Sequence, residues 1–304
     1  MIYTITFSPS IDYVINSEKS FDQNGLNRVE EYEFVPGGKG INASVVLKRI
    51  GFENQAITFL GGSTKLMFEN LLSQENVNLY TIENQADTRI NIKMFAPNGH
   101  FEINGKRTEI SENEKTELFK LVNQFQKDDL VMIMGVVQES ILFELMQLLN
   151  EKEIPFLLDV DSNKFKEILK YKPLLIKPNL DELERILNKK LNNETDIVAG
   201  LKELISLGAK NAMMSNGKKG SYFISQEGEV YKSELQPIDN IVSTVGAGDT
   251  LISSFAAFYF SNHNAQEALI KATQLSIGTV QNVWLSSADY LNKNQEKIKV
   301  TKIH

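Results

Sequence analysis

The sequence predicts an α/β fold, a parallel sheet covered by helices on both faces, with a small antiparallel β lid. Three observations carry that expectation. Short β-rich runs alternate with helix-patterned runs from about Gly40 onward, the signature of strand–helix–strand units. Two regions, residues 11–35 and 88–110, break the alternation and look like half-exposed antiparallel strands. At 304 residues and 42% hydrophobic content the chain is long enough for one core of several layers. No repeat period and no low-complexity linker divides it, so residues 1–304 read as a single domain.

The elements follow in order. Met1–Phe7 has no basic start and no small-residue cleavage site, and is not expected to be a signal peptide. Ile57–Leu60, Leu130–Met134, Phe156–Asp159, Leu174–Ile176 and Asn211–Ser215 read as buried strands. Glu112–Phe125, Ser140–Asn150 and Asp181–Leu187 carry helical patterns between them. In the second lid region Arg89, Asn91 and Lys93 fall on one face of a strand, and Ile90, Ile92 and Met94 on the other. Asn98-Gly99 and Asn104-Gly105 signal hairpin turns. The two regions together form one small sheet, placed to cover a site.

Composition narrows the function. A net charge of -7 does not suit tracking of a nucleic acid backbone, although a few clustered cations can still reverse the local field for a small anionic ligand. There is no cysteine, so disulfides, thiolate zinc sites and cysteine nucleophiles are excluded. His100, His263 and His304 show no metal-ligand spacing. The longest apolar runs, around Leu130–Val137 and Leu251–Phe260, are too short to span a bilayer. No nucleic acid and no membrane is expected as a partner, and the cytoplasm is the expected location.

Five segments bear on chemistry. Val245-Gly246-Ala247-Gly248-Asp249-Thr250 opens an almost wholly apolar helix. Small residues there let bare N–H groups face an anion, favoured by the helix dipole. Asp249 is out of place in a pure anion site, but not if it accepts a proton from an attacking hydroxyl while the amides steady a phosphoryl group. The plain alternative is an acidic residue favourable in a first turn. Pro36-Gly37-Gly38-Lys39-Gly40-Ile41-Asn42 precedes a second helix, with Ile41, Ala43, Val46, Leu47 and Ile50 at core spacing. Lys39 there suits an anionic group and Asn42 a sugar hydroxyl, unless the loop is only a flexible turn. It matches neither the G-x-G-x-x-G dinucleotide fingerprint nor a Walker A loop. Lys177-Pro178-Asn179-Leu180-Asp181-Glu182-Leu183 follows a strand. Asn179 and Glu182 fit either a capping box or a place beside a Mg²⁺-bound triphosphate. Ser215-Asn216-Gly217-Lys218-Lys219-Gly220 is a hairpin turn or a lining for nucleotide phosphates. Asp12, after Ser8-Pro9-Ser10-Ile11, is a turn residue or a carboxylate for two vicinal hydroxyls.

Taken in order, GGKGIN near 40, KPNxxEL near 180, SxGxxG near 217 and GAGD near 248 resemble the ribokinase-like (PfkB-type) carbohydrate kinases over nearly the whole chain. Tyr3-Thr4-Ile5-Thr6 through Val14, and Thr88-Arg89-Ile90-Asn91-Ile92-Lys93, are most similar to the branch acting on phosphorylated ketohexoses. That branch is 1-phosphofructokinase, with tagatose-6-phosphate kinase beside it. The resemblance implies a Rossmann-type three-layer core with a β lid, ATP and Mg²⁺, and a homodimer paired through the lid. It implies Asp249 as base, with Gly246, Ala247 and Gly248 as the anion hole. Asp12, Gly37, Gly38, Asn42 and Asn91 would border the sugar, and Lys39, Arg28 and Arg89 its existing phosphate. Lys177, Asn179, Ser215, Gly217 and Gly220 would serve the nucleotide, and Asn179 and Glu182 the metal. The clustering of Arg28, Arg89, Lys93 and Lys39 around one cleft in an acidic chain agrees with an anionic substrate.

The pattern is not followed everywhere. Ser8 stands where the family commonly has Asn, Gly135-Val136-Val137-Gln138 where it has Gly-Ser-Leu-Pro, and Ser243-Thr244 where an acidic or amide start is usual. A catalytically silent sugar-phosphate-binding regulator is therefore the competing expectation. An α/β oxidoreductase fails on the missing fingerprint.

Overall fold

The structure, a computed structural model, describes residues 1–303; His304 lies outside the described residues. The strands in chain order are β1 (Ile2–Thr6), β2 (Ser10–Asn16), β3 (Tyr32–Gly37), β4 (Asn54–Gly61), β5 (Asn78–Asn84), β6 (Ile90–Ala96), β7 (Gly99–Ile103), β8 (Leu130–Met134), β9 (Phe156–Asp159), β10 (Leu175–Ile176), β11 (Ala212–Ser215), β12 (Ser221–Ile224), β13 (Val230–Leu235) and β14 (Ile298–Lys302). The helices are α1 (Lys39–Arg49), α2 (Lys65–Ser73), α3 (Glu112–Val122), α4 (Glu139–Glu151), α5 (Phe165–Ile168), α6 (Leu180–Leu187), α7 (Glu194–Ser206), α8 (Ala247–Asn262) and α9 (Ala265–Val280). Among the described residues no helix is long and apolar enough to cross a membrane.

Ten strands form one sheet in the order β14-β13-β12-β11-β10-β9-β8-β1-β4-β5. From β11 to β5 neighbouring strands run parallel, and Ile5 of β1 lies opposite Ile57 and Ile133. These three are fully buried, because a parallel strand with helices on both faces has no wet side. One face packs on α3, α4, α6 and α7 through Leu118, Leu145, Leu183 and Leu201. The other packs on α1, α8 and α9 through Leu47, Phe255 and Leu269. The three-layer core expected from the alternation is therefore present. At one edge, however, β12, β13 and β14 pair antiparallel, so the sheet is mixed. The turn at Asn216–Gly220 is what reverses the chain there.

The lid is a four-stranded sheet in the order β3-β2-β6-β7. Two expectations about it are corrected. Its central pair, β2 with β6, is parallel. The reason is topological: β2 continues from β1 and β6 from β5, which run in the same direction within the core sheet. Asn98-Gly99 does turn β6 into the antiparallel β7, but Asn104-Gly105 closes no hairpin. The chain there folds back so that the Gly105 N–H donates to Asn91 Oδ1 at 3.0 Å.

The face of β6 is also the reverse of an ordinary amphipathic strand. Asn91 and Lys93 are buried while Ile90 is 43% exposed. The polar face is turned toward the core and roofs a cleft.

Phe223 on β12 is fully buried, with its ring 4.6 Å from that of Phe255 and 5.0 Å from that of Tyr259. Phe223→Ala should cost about 3–5 kcal/mol of stability, from lost transfer energy and the cavity left behind. Urea unfolding measures it.

Candidate active site

The site is built around the start of α8. Gly246 precedes the helix at φ +80°, a left-handed conformation, and a Cβ there would lie 2.9 Å from Leu285. Only glycine fits without strain. No side chain caps this helix; the Ala247 N–H makes one long bond, 3.4 Å to the Thr244 carbonyl, and the Gly248 amide beside it has no backbone partner among the described residues. Two cavities meet at this point. One, of about 300 Å³, lies under the lid and is bordered by Gly246 and Asp249. The other, of about 630 Å³, is bordered by Ala247 and Gly248 and is walled by apolar side chains such as Ile238, Ile241 and Val280.

Asp249 is buried, and Asn42 Nδ2 donates to its Oδ2 at 2.8 Å. Burial and the nearby Asp159 carboxylate push its pKa above the ordinary value, against the opposing pull of Lys39, Asn42 and Lys177. Asn42 reaches it because Gly38, at φ +118°, turns the chain sharply into α1. Lys39, the first residue of that helix, donates to Asp159 Oδ1 at 3.0 Å. Burial alone would lower the Lys39 pKa, but the carboxylates of Asp159, Asp249 and Glu182 outweigh it and hold the ammonium charged. Lys177 Nζ stands 3.6 Å from Asp159 Oδ2, and it lies against the helix start so closely that a Cβ on Gly248 would meet it at 3.3 Å. Asp159 is fully enclosed; burial would raise its pKa, but Lys177 and Lys39 win and lower it.

Under the lid, Asp12 Oδ1 accepts from Ser10 Oγ at 2.7 Å and Asn91 Nδ2 at 2.8 Å, while Oδ2 pairs with Lys93. Gly37 packs against this carboxylate. Arg89 donates to the backbone carbonyls of Ser8, Pro9 and Gly105, which braces the lid on the core. Arg107, on the segment after β7, borders the same cleft and makes no hydrogen bond or ion pair among the described residues.

The structure thus gathers Asp12, Gly38, Lys39, Asn42, Arg89, Asn91, Gly246 and Asp249 around the smaller cavity. Ser215, Gly217, Gly220, Ala247 and Gly248 border the larger. Lys177 lies beneath the junction. Three residues stand apart. Arg28 is exposed in the irregular loop between β2 and β3, away from the cleft wall. Asn179 and Glu182 form a complete capping box at the start of α6: Asn179 Oδ1 accepts from the Glu182 N–H, and the Asn179 N–H donates to Glu182 Oε2, both at 2.8 Å. Glu182 still bears on the site electrostatically, through Lys39. Sequence reasoning missed Asp159 and Arg107. The first ends an apolar strand with a charge, and the second is one of two adjacent cations, Lys106 and Arg107, in a stretch without a motif.

The family model described as pfkB family carbohydrate kinase matches residues 5–287. A 1-phosphofructokinase of Borreliella burgdorferi is 36% identical over 89% of this chain and 88% of its own. A D-tagatose-1-phosphate kinase of Bacillus licheniformis is 29% identical over 99% of each. Phosphofructokinase-2 of Escherichia coli, solved with substrates and products, superposes with a TM-score of 0.91 at 25% identity, covering 97% of this chain and 98% of that one.

Asp12 and Lys93 form a pair of low exposure, 7% and 11%. Removing one partner strands the other charge. Asp12→Ala or Lys93→Met should each lose about 3 kcal/mol. The double variant should lose less than the sum, because it leaves no buried charge behind. Urea unfolding of the three variants checks this.

Proposed function

The chain belongs to the PfkB family of carbohydrate kinases, and from that premise we propose that it transfers the γ-phosphoryl group of ATP to fructose 1-phosphate, giving fructose 1,6-bisphosphate and ADP. One observation carries the reading: a polar cavity and a larger apolar one meet at an uncapped helix start, with a buried carboxylate on the polar side.

In this reading the ketohexose phosphate occupies the smaller cavity and ATP the larger. Asp249 takes the proton of the attacking hydroxyl as that oxygen bonds to the γ-phosphorus and the bond from that phosphorus to the β-phosphate oxygen breaks, releasing ADP. The amides of Gly246 and Gly248, with that of Ala247 as it gives up its long bond to the Thr244 carbonyl, receive the charge on the transferring group. Such a reaction needs positioning and electrostatics more than covalent help. The raised proton affinity of Asp249 suits a base. Asp12, Asn42 and Asn91, with Gly37 and Gly38 beside them, hold the sugar hydroxyls. Ser215, Gly217, Gly220 and Lys177 serve the nucleotide.

Kinases of this family generally use Mg²⁺, which would neutralise charge on the nucleotide phosphates when bound. Glu182 keeps one carboxylate oxygen outside its capping bond, and that oxygen would be the protein's donor to the ion or its waters. A single carboxylate, with Asn179 beside it, is the donor set expected of a Mg²⁺ shared with a triphosphate and water.

For the existing phosphate, Arg107 is the strongest support. Lys39, Lys93 and Arg89 already have partners in the protein, whereas the Arg107 guanidinium is uncommitted and faces the cleft. Tagatose 6-phosphate is the alternative acceptor. A catalytically silent binding role is disfavoured, since the base, its Asn42 partner and the amides are all in place.

Pairing of two copies through the lid belongs to the same reading. The lid turns an apolar face outward, with Tyr32 at 56%, Ile90 at 43% and Ile103 at 61% exposure. A cytoplasmic location agrees with the lack of cysteine and with a phosphorylated substrate.

Coupled ADP-release assays on fructose 1-phosphate, tagatose 6-phosphate, tagatose 1-phosphate and fructose 6-phosphate should give the highest kcat/KM on the first. Silence on all four would favour the binding role. Asp249→Asn should lower kcat by about a thousandfold while ATP binding and Tm stay unchanged. In the active enzyme, kcat/KM should fall with acid at a pH above the ordinary carboxylate range, because the base works only when ionised and its pKa is raised. Arg107→Met should raise KM for the sugar phosphate about tenfold with little change in kcat.

A further inference from the structure

Asp159 borders neither cavity, yet both lysines at the junction depend on it. It ends β9, beneath the start of α8, and each of its oxygens faces a different ammonium group. Oδ1 holds Lys39, on the wall of the smaller cavity. Oδ2 faces Lys177, beside Gly248 on the wall of the larger. Its contact with Lys177 is in ion-pair range but beyond a hydrogen bond, and Oδ2 accepts no hydrogen bond among the described residues.

We propose that Asp159 is a positioning residue: it holds Lys39 and Lys177 on the two sides of the transfer junction. As the second carboxylate there it also helps to hold the proton affinity of Asp249 up. The inference rests on the reading of Asp249 as base and deepens it. A buried ammonium needs a counter-charge, and a carboxylate base set beside two ammonium groups loses proton affinity unless a second negative charge offsets them. One carboxylate does both. The tight bond fixes Lys39 beside the acceptor. The loose contact leaves Lys177 free to turn toward arriving phosphate charge without losing a hydrogen bond.

The groups facing Asp249 are Asn42 and Lys39 from α1, Lys177 from the segment after β10, and Asp159 from β9; Glu182 of α6 acts on Lys39. With Asp159 neutral, the repulsion that adds to burial in raising Asp249 disappears, while Lys39 and Lys177 still pull it down. The acid limb of the rate profile must then move to lower pH.

The test compares wild type and Asp159→Asn as full-length enzyme, with fructose 1-phosphate varied at saturating MgATP. The expected result is a lower kcat and an acid limb of kcat/KM displaced to lower pH. If the variant turns over too slowly, the ionisation of the Asp249 carboxyl carbon is followed by NMR in the same variant, with Asp159→Asn/Asp249→Asn to assign the signal. The same displacement is expected there. An unmoved limb or titration overturns the proposal, whatever happens to the rate. So does a rise in the Mg²⁺ concentration for half-maximal rate with the limb unmoved, which would assign Asp159 to the metal. An active Asp249→Asn variant would instead overturn the underlying reading, so the two failures are told apart.

Discussion

Two carboxylates, Asp159 and Asp249, are buried within each other's field where the two cavities meet, and the ammonium groups of Lys39 and Lys177 let both remain there. An ion taken out of water costs several kcal/mol unless opposite charge stands beside it. The cations come from distant parts of the chain, one from the first residue of α1 and one from the segment after β10. The charge balance is therefore met only when the central strands, α1 and α8 are all assembled. The balance is also uneven. The same cluster lowers the pKa of Asp159 and raises that of Asp249, because the lysines contact the first more closely. Two like groups forced apart in proton affinity is the arrangement that divides a structural charge from a chemical one.

The lid answers a different constraint. A sheet that closed over the core with its apolar face would seal the cleft. Here β2 and β6 turn Asp12, Asn91 and Lys93 inward, and these are satisfied by one another rather than by core groups. The lid is braced mainly where Arg89 reaches the carbonyls of Ser8 and Pro9. What results is a roof of paired polar groups over a chamber, pre-organised to exchange partners with hydroxyls without first exposing an orphaned charge.

Periodicity made much of this legible. Apolar runs gave Leu130–Met134 and Phe156–Asp159 to the residue, since strands buried on both faces have no other explanation at that length. The alternation at residues 89–94 gave a strand with two faces, but not which face is buried, because a polar face turned toward a cleft has the same pattern as one turned toward water. Strand direction was equally hidden: the parallel β2–β6 pair follows from which core strands feed the lid, a long-range fact. Asn179 and Glu182 show the converse. Their spacing announced a cap, and the cap is there, whatever further part Glu182 plays. Asp159 was unreadable because its significance lies in partners 120 and 18 positions away, with no motif of its own.

In the proposed reading the helix start separates acceptor from donor, and the places where this chain leaves the family pattern respect that boundary. Ser8 and Val136 both border the smaller cavity, and Gln138 is drawn off to accept from the Ile110 N–H at 2.9 Å. Gly246 to Asp249, Asn42 and Lys177 are untouched. A change on the acceptor wall alters which hydroxyls and which phosphate are received, yet it leaves the amides, the base and the lysine pair where they were. Only Thr244, on the donor wall, crosses the line. Substrate choice can therefore drift under the lid while the transfer step stays fixed. In that reading the lid supplies Asp12 and Asn91 to the sugar, whereas the base and the amides belong to a helix of the core.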